Sequence, residues 1–293
     1  MKRVVMTGGT QGIGAEALAR LLEVDCEVVL AARDPSGLPT HGRLQVEKVD
    51  LSALAQVRAF ARSIERADVL IANAGVQVVS GDLHTEEGHE LSFGVNHLAH
   101  FLLLMVLLPK LETGGRVLFT GSGTHDPNEH LARLFGFRGG RYTTAERLAR
   151  GDVGDDRGPR LLGMDRYATS KLCNLMIVNE LARRVPAERM GVFSFDPGLV
   201  PATGLARDHA PWARRVYSAL APGIARLPGA STPKKSGRAL AWTALTDELH
   251  GRSGEHFGYQ KRHVHVWSGA DDRERCRELF DTSLQLTGTA FAL

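Results

Sequence analysis

Cysteine is scarce in this chain: Cys26, Cys173 and Cys276 are three in 293 residues, far apart and outside any Cys-x-x-Cys spacing. That argues against a disulfide framework or a structural zinc site, and it fits a reducing compartment, read here as cytoplasmic. An excess of one charge is lacking too. The 36 Lys and Arg against 33 Asp and Glu leave a net charge of +3 spread along the chain, without the clustered basic face that nucleic-acid binding needs. Long apolar runs are also missing. The strongest, Phe101 to Leu108, falls short of the roughly 20 residues of a membrane span, and Asn96, His97 and His100 interrupt it upstream, so it reads as a buried helix. No signal peptide is expected before the first strand, since Lys2 and Arg3 lead at once into Val4, Val5 and Met6. His263 and His265 share one face if they lie on a strand, but no third ligand is evident, and no metal site is expected.

What is present is the composition of a soluble globular protein, with 43% apolar and 24% charged residues. Short β-rich runs alternate with helical stretches, which predicts an α/β fold: a doubly wound parallel sheet of about seven strands with helices on both faces. The strand candidates are Arg3 to Met6, Glu27 to Ala31, Leu44 to Val49, Val69 to Ala72, Arg116 to Thr120, Gly191 to Phe195 and His256 to Tyr259. Most are continuously apolar, as strands buried on both faces should be. Helices are expected at Ile13 to Leu22, Ala53 to Glu65, Glu86 to Leu111 with Thr85 as N-cap, Arg166 to Arg184, Ser236 to Leu245, and Asp272 to Leu286. The alternation continues past two irregular stretches, 123–163 and 203–235, which therefore read as an insertion and a lid within one domain spanning 1–293.

The turn Thr7-Gly8-Gly9-Thr10-Gln11-Gly12-Ile13-Gly14 joins the first strand to the first helix. Glycines at such a place let the backbone approach a pyrophosphate at a helix N-terminus, although other nucleotide binders use similar turns. The second strand ends at Ala32-Arg33-Asp34, where NAD-binding sheets carry an acidic residue for the ribose 2′-hydroxyl. A guanidinium there suits a 2′-phosphate, which points to NADP(H) over NAD(H), unless Asp34 neutralises Arg33 or itself faces the ribose. Further along, Tyr167 and Lys171 stand at helical i,i+4 spacing, so both share one face. A neighbouring ammonium favours the phenolate and would bring the tyrosine toward working pH as a proton donor or acceptor. Ser122 follows the fifth strand, Asn73-Ala74-Gly75 the fourth and Asp196-Pro197-Gly198 the sixth, while Asn96 lies in the long apolar helix. All of these strand ends belong to the carboxyl edge of the sheet, where open α/β folds bind ligands.

Together these motifs resemble the short-chain dehydrogenase/reductase family over nearly the whole chain, which implies a Rossmann-type fold and hydride transfer between a nicotinamide and a carbonyl or alcohol carbon. The resemblance implies a catalytic tetrad of Asn96, Ser122, Tyr167 and Lys171. Tyr167 would pass the proton, Ser122 would bind the substrate oxygen, Lys171 would tune Tyr167 and hold the ribose, and Asn96 would support a water relay. It implies cofactor contacts from Gly8, Thr10, Gln11, Gly12, Ile13 and Gly14, from Arg33, Asp50 and Leu51, from Asn73, Ala74 and Gly75, and from Pro197, Gly198, Val200 and Thr203. Two positions depart from the family pattern: Ala202 stands where a carboxamide-binding threonine is common, and Ala72 replaces one of two paired asparagines.

Asn96-His97-Leu98-Ala99-His100, Ser170-Lys171-Leu172-Cys173-Asn174 and Thr203-Gly204-Leu205 are similar to the retinol dehydrogenase and protochlorophyllide reductase branch. Trp212 and Tyr217, with Leu220 and Ile224, would form an apolar lid or simply pack the loop, so the substrate is expected to be an apolar carbonyl or alcohol. The 123–163 insertion either shapes access to the site or is a solvated loop. It also leaves a monomer possible beside a homodimer. Two other readings stay open: reduction of an activated carbon–carbon double bond, and a non-catalytic NADP(H)-binding sensor or scaffold.

Overall fold

The structure is a computed structural model that describes residues 1–78, 81–154, 158–201, 223 and 227–293. Seven strands, β1 Lys2–Thr7, β2 Cys26–Ala32, β3 Leu44–Lys48, β4 Ala67–Ala72, β5 Leu111–Thr120, β6 Met190–Asp196 and β7 Glu255–Gly258, form one sheet in the order β3-β2-β1-β4-β5-β6-β7. Every neighbouring pair is parallel. The order reverses between β1 and β4, which opens a crevice at the carboxyl edge beside the end of β1.

Alternation along each strand sends successive side chains to opposite layers. Val4, Met6, Leu118 and Phe193 pack with Ala17, Leu21 and Leu240, from helices α1 (Gly12–Glu23) and α7 (Pro233–Leu245). Val5, Leu70, Val117 and Phe119 pack on the other face against α2 (Leu54–Ser63), α3 (Leu91–Lys110), α6 (Pro159–Arg184) and α8 (Arg273–Thr287). By length and composition α3 is apolar enough to cross a membrane, more than the run Phe101 to Leu108 alone suggests. In this fold it is a core helix, buried almost throughout, with Phe101 edge-on to Phe280 of α8 at 5.3 Å.

The expected start of α3 needs correction. It begins at Leu91 and is capped by Glu90, whose carboxylate accepts from the backbone N–H of Ser92 (3.0 Å) and Phe93 (2.8 Å). Thr85 instead closes a tight turn by accepting from the His89 N–H at 3.2 Å. Within α3, Gly94–Leu98 is a π-helical turn, a local widening that re-aims Asn96.

The start of α6 is also earlier than expected. It runs from Pro159 rather than Arg166, with proline in the first turn where its missing N–H costs nothing. The insertion accordingly ends near 158, and it is not a solvated loop. It contains α4 (His130–Leu134) and α5 (Ala145–Ala149), and Leu148 and Val153 are buried in the core. Arg138 grips the buried Asp165 of α6 with contacts at 2.8 and 3.2 Å, and Tyr142 donates to Glu278 of α8. The expected lid residues Trp212, Tyr217, Leu220 and Ile224, with Ala202 and Thr203, lie outside the described residues.

Candidate active site

The first turn after β1 is shaped for close approach. Gly8 and Gly12 have φ of +71° and +57°, and a Cβ on Gly14 would fall 1.8 Å from the Gly8 carbonyl oxygen. Gln11 precedes α1 without a side-chain cap, so the first N–H groups of that helix are left facing the crevice. The crevice is a cavity of about 1220 Å³ that runs from Arg33 to Tyr167. That exceeds the volume range of about 300–1,000 Å³ typical of a drug-sized ligand, so a dinucleotide and a small molecule fit it together.

Its lining brings together residues remote in sequence. Gly8, Thr10, Gln11, Gly12, Ile13 and Gly14 line one wall, and Arg33, Asp50 and Leu51 line the end beyond β2 and β3. Asn73, Ala74 and Gly75 come from the end of β4, and Pro197, Gly198 and Val200 from beyond β6. Ser122, Tyr167 and Lys171 close the other end. Asp34 turns its carboxylate onto the N–H of Ser36 (2.9 Å), and Asp50 turns its own onto the N–H and hydroxyl of Ser52 (2.9 and 2.8 Å). Arg33 is exposed and forms no ion pair among the described residues.

Asn96 does not line the cavity but supports it from behind. Its Oδ1 accepts from the Val76 N–H (2.8 Å), and its Nδ2 donates to the Val76 carbonyl (2.9 Å) and to Ser170 Oγ (2.9 Å). Its backbone carbonyl accepts from His100 Nδ1 at 3.0 Å. Burial pushes His100 down to about 4, so the ring is neutral and its Nε2 accepts from the Thr7 hydroxyl at 2.8 Å. The same Thr7 oxygen accepts from the N–H groups of Asn73 (3.1 Å) and Ala74 (3.0 Å). In the sequence His100 stands out only as an interruption of the apolar run of this helix. The available signal was a histidine one helical turn after Asn96 in an otherwise apolar helix.

Ser122 lies two residues beyond β5 and accepts from the N–H (3.3 Å) and hydroxyl (3.1 Å) of Thr124, and its own O–H is placed to hydrogen-bond the Tyr167 phenol oxygen. Tyr167 and Lys171 are only 4% and 3% exposed. Lys171 Nζ donates to the Thr120 carbonyl at 3.0 Å and lies 5.9 Å from the Tyr167 ring centre. Phe137 of the insertion stands 6.2 Å from that ring and also lines the cavity. Among the described residues no group of three His, Cys, Asp or Glu side chains is placed to hold a metal ion.

Comparison with known proteins agrees with this geometry. The short chain dehydrogenase family model matches residues 2–132. Protochlorophyllide reductase A, chloroplastic, from Triticum aestivum is 30% identical, over 98% of this chain and 80% of its own length. The chain belongs to the short-chain dehydrogenase family. Within it, the likeness to protochlorophyllide reductases places it on that side of the family, as an NAD(P)-dependent oxidoreductase. A crystal structure of an uncharacterized protein from Mycobacterium paratuberculosis is 28% identical and superposes with a TM-score of 0.73, covering 100% of this chain and 96% of that one. A Burkholderia cenocepacia short chain dehydrogenase in complex with NADP shares the fold at 20% identity and a TM-score of 0.60, covering 88% of this chain and 95% of that one.

In this dehydrogenase the expected tuning of Tyr167 is reversed. Burial pushes its phenol up to about 12, against a smaller downward pull from the Ser122 hydroxyl and a small upward push from Asp196. Lys171 does not overcome that burial, because its ammonium is itself desolvated and pushed down to about 8. The phenol is therefore neutral at ordinary pH and able to donate.

The same shift has a consequence for stability. A lysine that holds its proton only to about pH 8 in the fold, against 10.5 when exposed, penalises the folded state below pH 8; the penalty fades as pH rises toward 10.5. Replacing Lys171 by Met should therefore raise stability in urea melts most at neutral pH, and the gain should shrink between pH 8 and 10.5. A gain that does not vary with pH would show that burial of the ammonium is not its source.

Proposed function

We propose that this short-chain dehydrogenase is an NADPH-dependent reductase of a carbonyl group on a mostly apolar small molecule. The observation that carries the reading is a buried Tyr167 phenol, its pKa pushed up by that burial, beside Ser122 in the same cavity as the glycine turn. The dinucleotide, when bound, supplies the hydride. Ser122 donates a hydrogen bond to the substrate oxygen, and Tyr167 gives that oxygen its proton as negative charge develops there. Lys171 would hold the ribose hydroxyls of the bound dinucleotide, and Asn96 braces the backbone of Val76 at the cavity wall.

Preference for NADPH rests on Arg33. Its neighbour Asp34 is occupied by Ser36, so the guanidinium at the tip of β2 is available for charge-assisted bonds to a 2′-phosphate. Arg33→Glu should lower the ratio of NADPH to NADH affinity by at least about tenfold in fluorescence titrations. An unchanged ratio would remove the basis for the preference.

A second reading, reduction of an activated carbon–carbon double bond, is favoured by the similarity to protochlorophyllide reductases. The two differ in which atom takes the hydride, so an apolar enone that offers both sites separates them. With NADPH we expect the allylic alcohol as product. The saturated ketone would establish the second reading.

A further inference from the structure

One charged side chain on the substrate side of the cavity has no task in the reaction described above. Asp196 is the last residue of β6, and its Oδ1 is fixed by the backbone N–H of Gly198 at 2.8 Å. Nothing among the described residues donates to Oδ2. That oxygen points toward Gly123, the residue after Ser122, where a Cβ would lie 3.5 Å from it and 3.4 Å from Glu129 Cγ. Glu129 caps α4 through a weak contact to the Leu131 N–H at 3.4 Å. Asp196, Ser122, Gly123, Glu129 and Tyr167 all line the cavity.

The charge of Asp196 reaches the reacting end of the site. It raises the proton affinity of Tyr167 and also that of Lys171. A ligand that closed this end with hydrocarbon alone would strip water from a carboxylate oxygen and return no hydrogen bond, an outcome that disfavours binding. A ligand with a hydroxyl or ammonium next to its reacting carbon would offer that oxygen a donor. Charge-assisted bonds of that kind are the stronger class.

We propose that Asp196 is a specificity residue whose Oδ2 accepts a hydrogen bond from a donor group that the substrate carries beside its reacting carbon. The substrate class is then an α-hydroxy or α-amino carbonyl compound, or the matching vicinal diol or amino alcohol, on an otherwise apolar frame. This rests on the carbonyl-reductase reading but is tested by binding, so that the two fail separately.

The experiment is calorimetric titration of the NADPH-saturated Tyr167→Phe protein, which cannot consume the ligand through the proposed proton donor. The ligands are acetophenone, its α-hydroxy derivative and its α-amino derivative. We expect at least one donor-bearing compound to bind about tenfold to a hundredfold tighter than acetophenone. The hydroxyl identifies itself if only that derivative gains, and the ammonium if only the amine gains. In the same background Asp196→Asn, which can still accept from Gly198, should reduce the gain of the amine most. Gly123→Ala, which places a methyl in the same space and leaves the charge, should weaken both donor-bearing compounds, and a thermal melt shows that each variant is folded. Equal affinities for all three ligands, or a gain undiminished in Asp196→Asn, would overturn the proposal. Separately, turnover unaffected by Tyr167→Phe would refute the reaction reading while leaving a binding preference intact.

Discussion

The geometry of the site depends on one hydroxyl, that of Thr7 at the end of β1. It donates to His100 and accepts from the N–H groups of Asn73 and Ala74, so a single atom ties β1, β4 and α3 together. These are the elements on either side of the point where the strand order reverses, and a crevice there exists only while the two strand ends stay in register. His100 passes the constraint on to the backbone of Asn96, and the Asn96 side chain passes it to Val76 and Ser170. Every donor in this series of hydrogen bonds finds an acceptor, and Thr7, Asn96 and His100 are fully buried, which is the condition under which a polar network rigidifies a core instead of weakening it. The cofactor turn and the catalytic helix are thereby held to one another without either bearing on the ligand.

Burial sets the chemistry as firmly as hydrogen bonding sets the geometry. Tyr167 and Lys171 sit on adjacent turns of α6 under Phe137 and the rest of the insertion, and exclusion of water moves each toward its neutral form. For the phenol this is useful, since a neutral tyrosine has a proton to give. For the lysine it is a cost to stability, borne at a site where the proposed reaction calls for the ammonium. The insertion is what covers this helix: Arg138 clamps Asp165, and Arg141 N–H bonds Thr169 Oγ1 at 2.8 Å. Its placement shapes the cavity and creates the dry environment at once.

Much of this was legible in the sequence. The strands stood out because most are continuously apolar, with β3 and β7 the polar exceptions, and the motifs at their ends followed from the rule that ligands gather at the carboxyl edge. The start of α3 falls later than expected because Thr85 is a favoured cap type and Glu90 is not, while the chain turns at Gly88, whose φ is +83°, before the helix can begin. A π turn changes register without changing composition, so the orientation of Asn96 was hidden. Pro159 did carry a signal for the start of α6, but it was masked by the polar stretch before it. The role of His100 could not be read because its partner Thr7 is brought to it only by the fold. The pull of Lys171 on Tyr167 was inferred from spacing alone, and spacing carries no information about how dry the site is.

The central claim is that Tyr167 supplies the proton for NADPH-dependent reduction. The most direct measurement is NADPH oxidation, followed by absorbance, by wild-type protein and Tyr167→Phe against a panel of apolar aldehydes, ketones and quinones, with NADPH affinity measured for both. Loss of the proton donor should lower turnover by a factor on the order of 10²–10⁴ while NADPH binding stays nearly the same. Comparable turnover by the two proteins would contradict the account, because no role in proton transfer would then be left for the phenol.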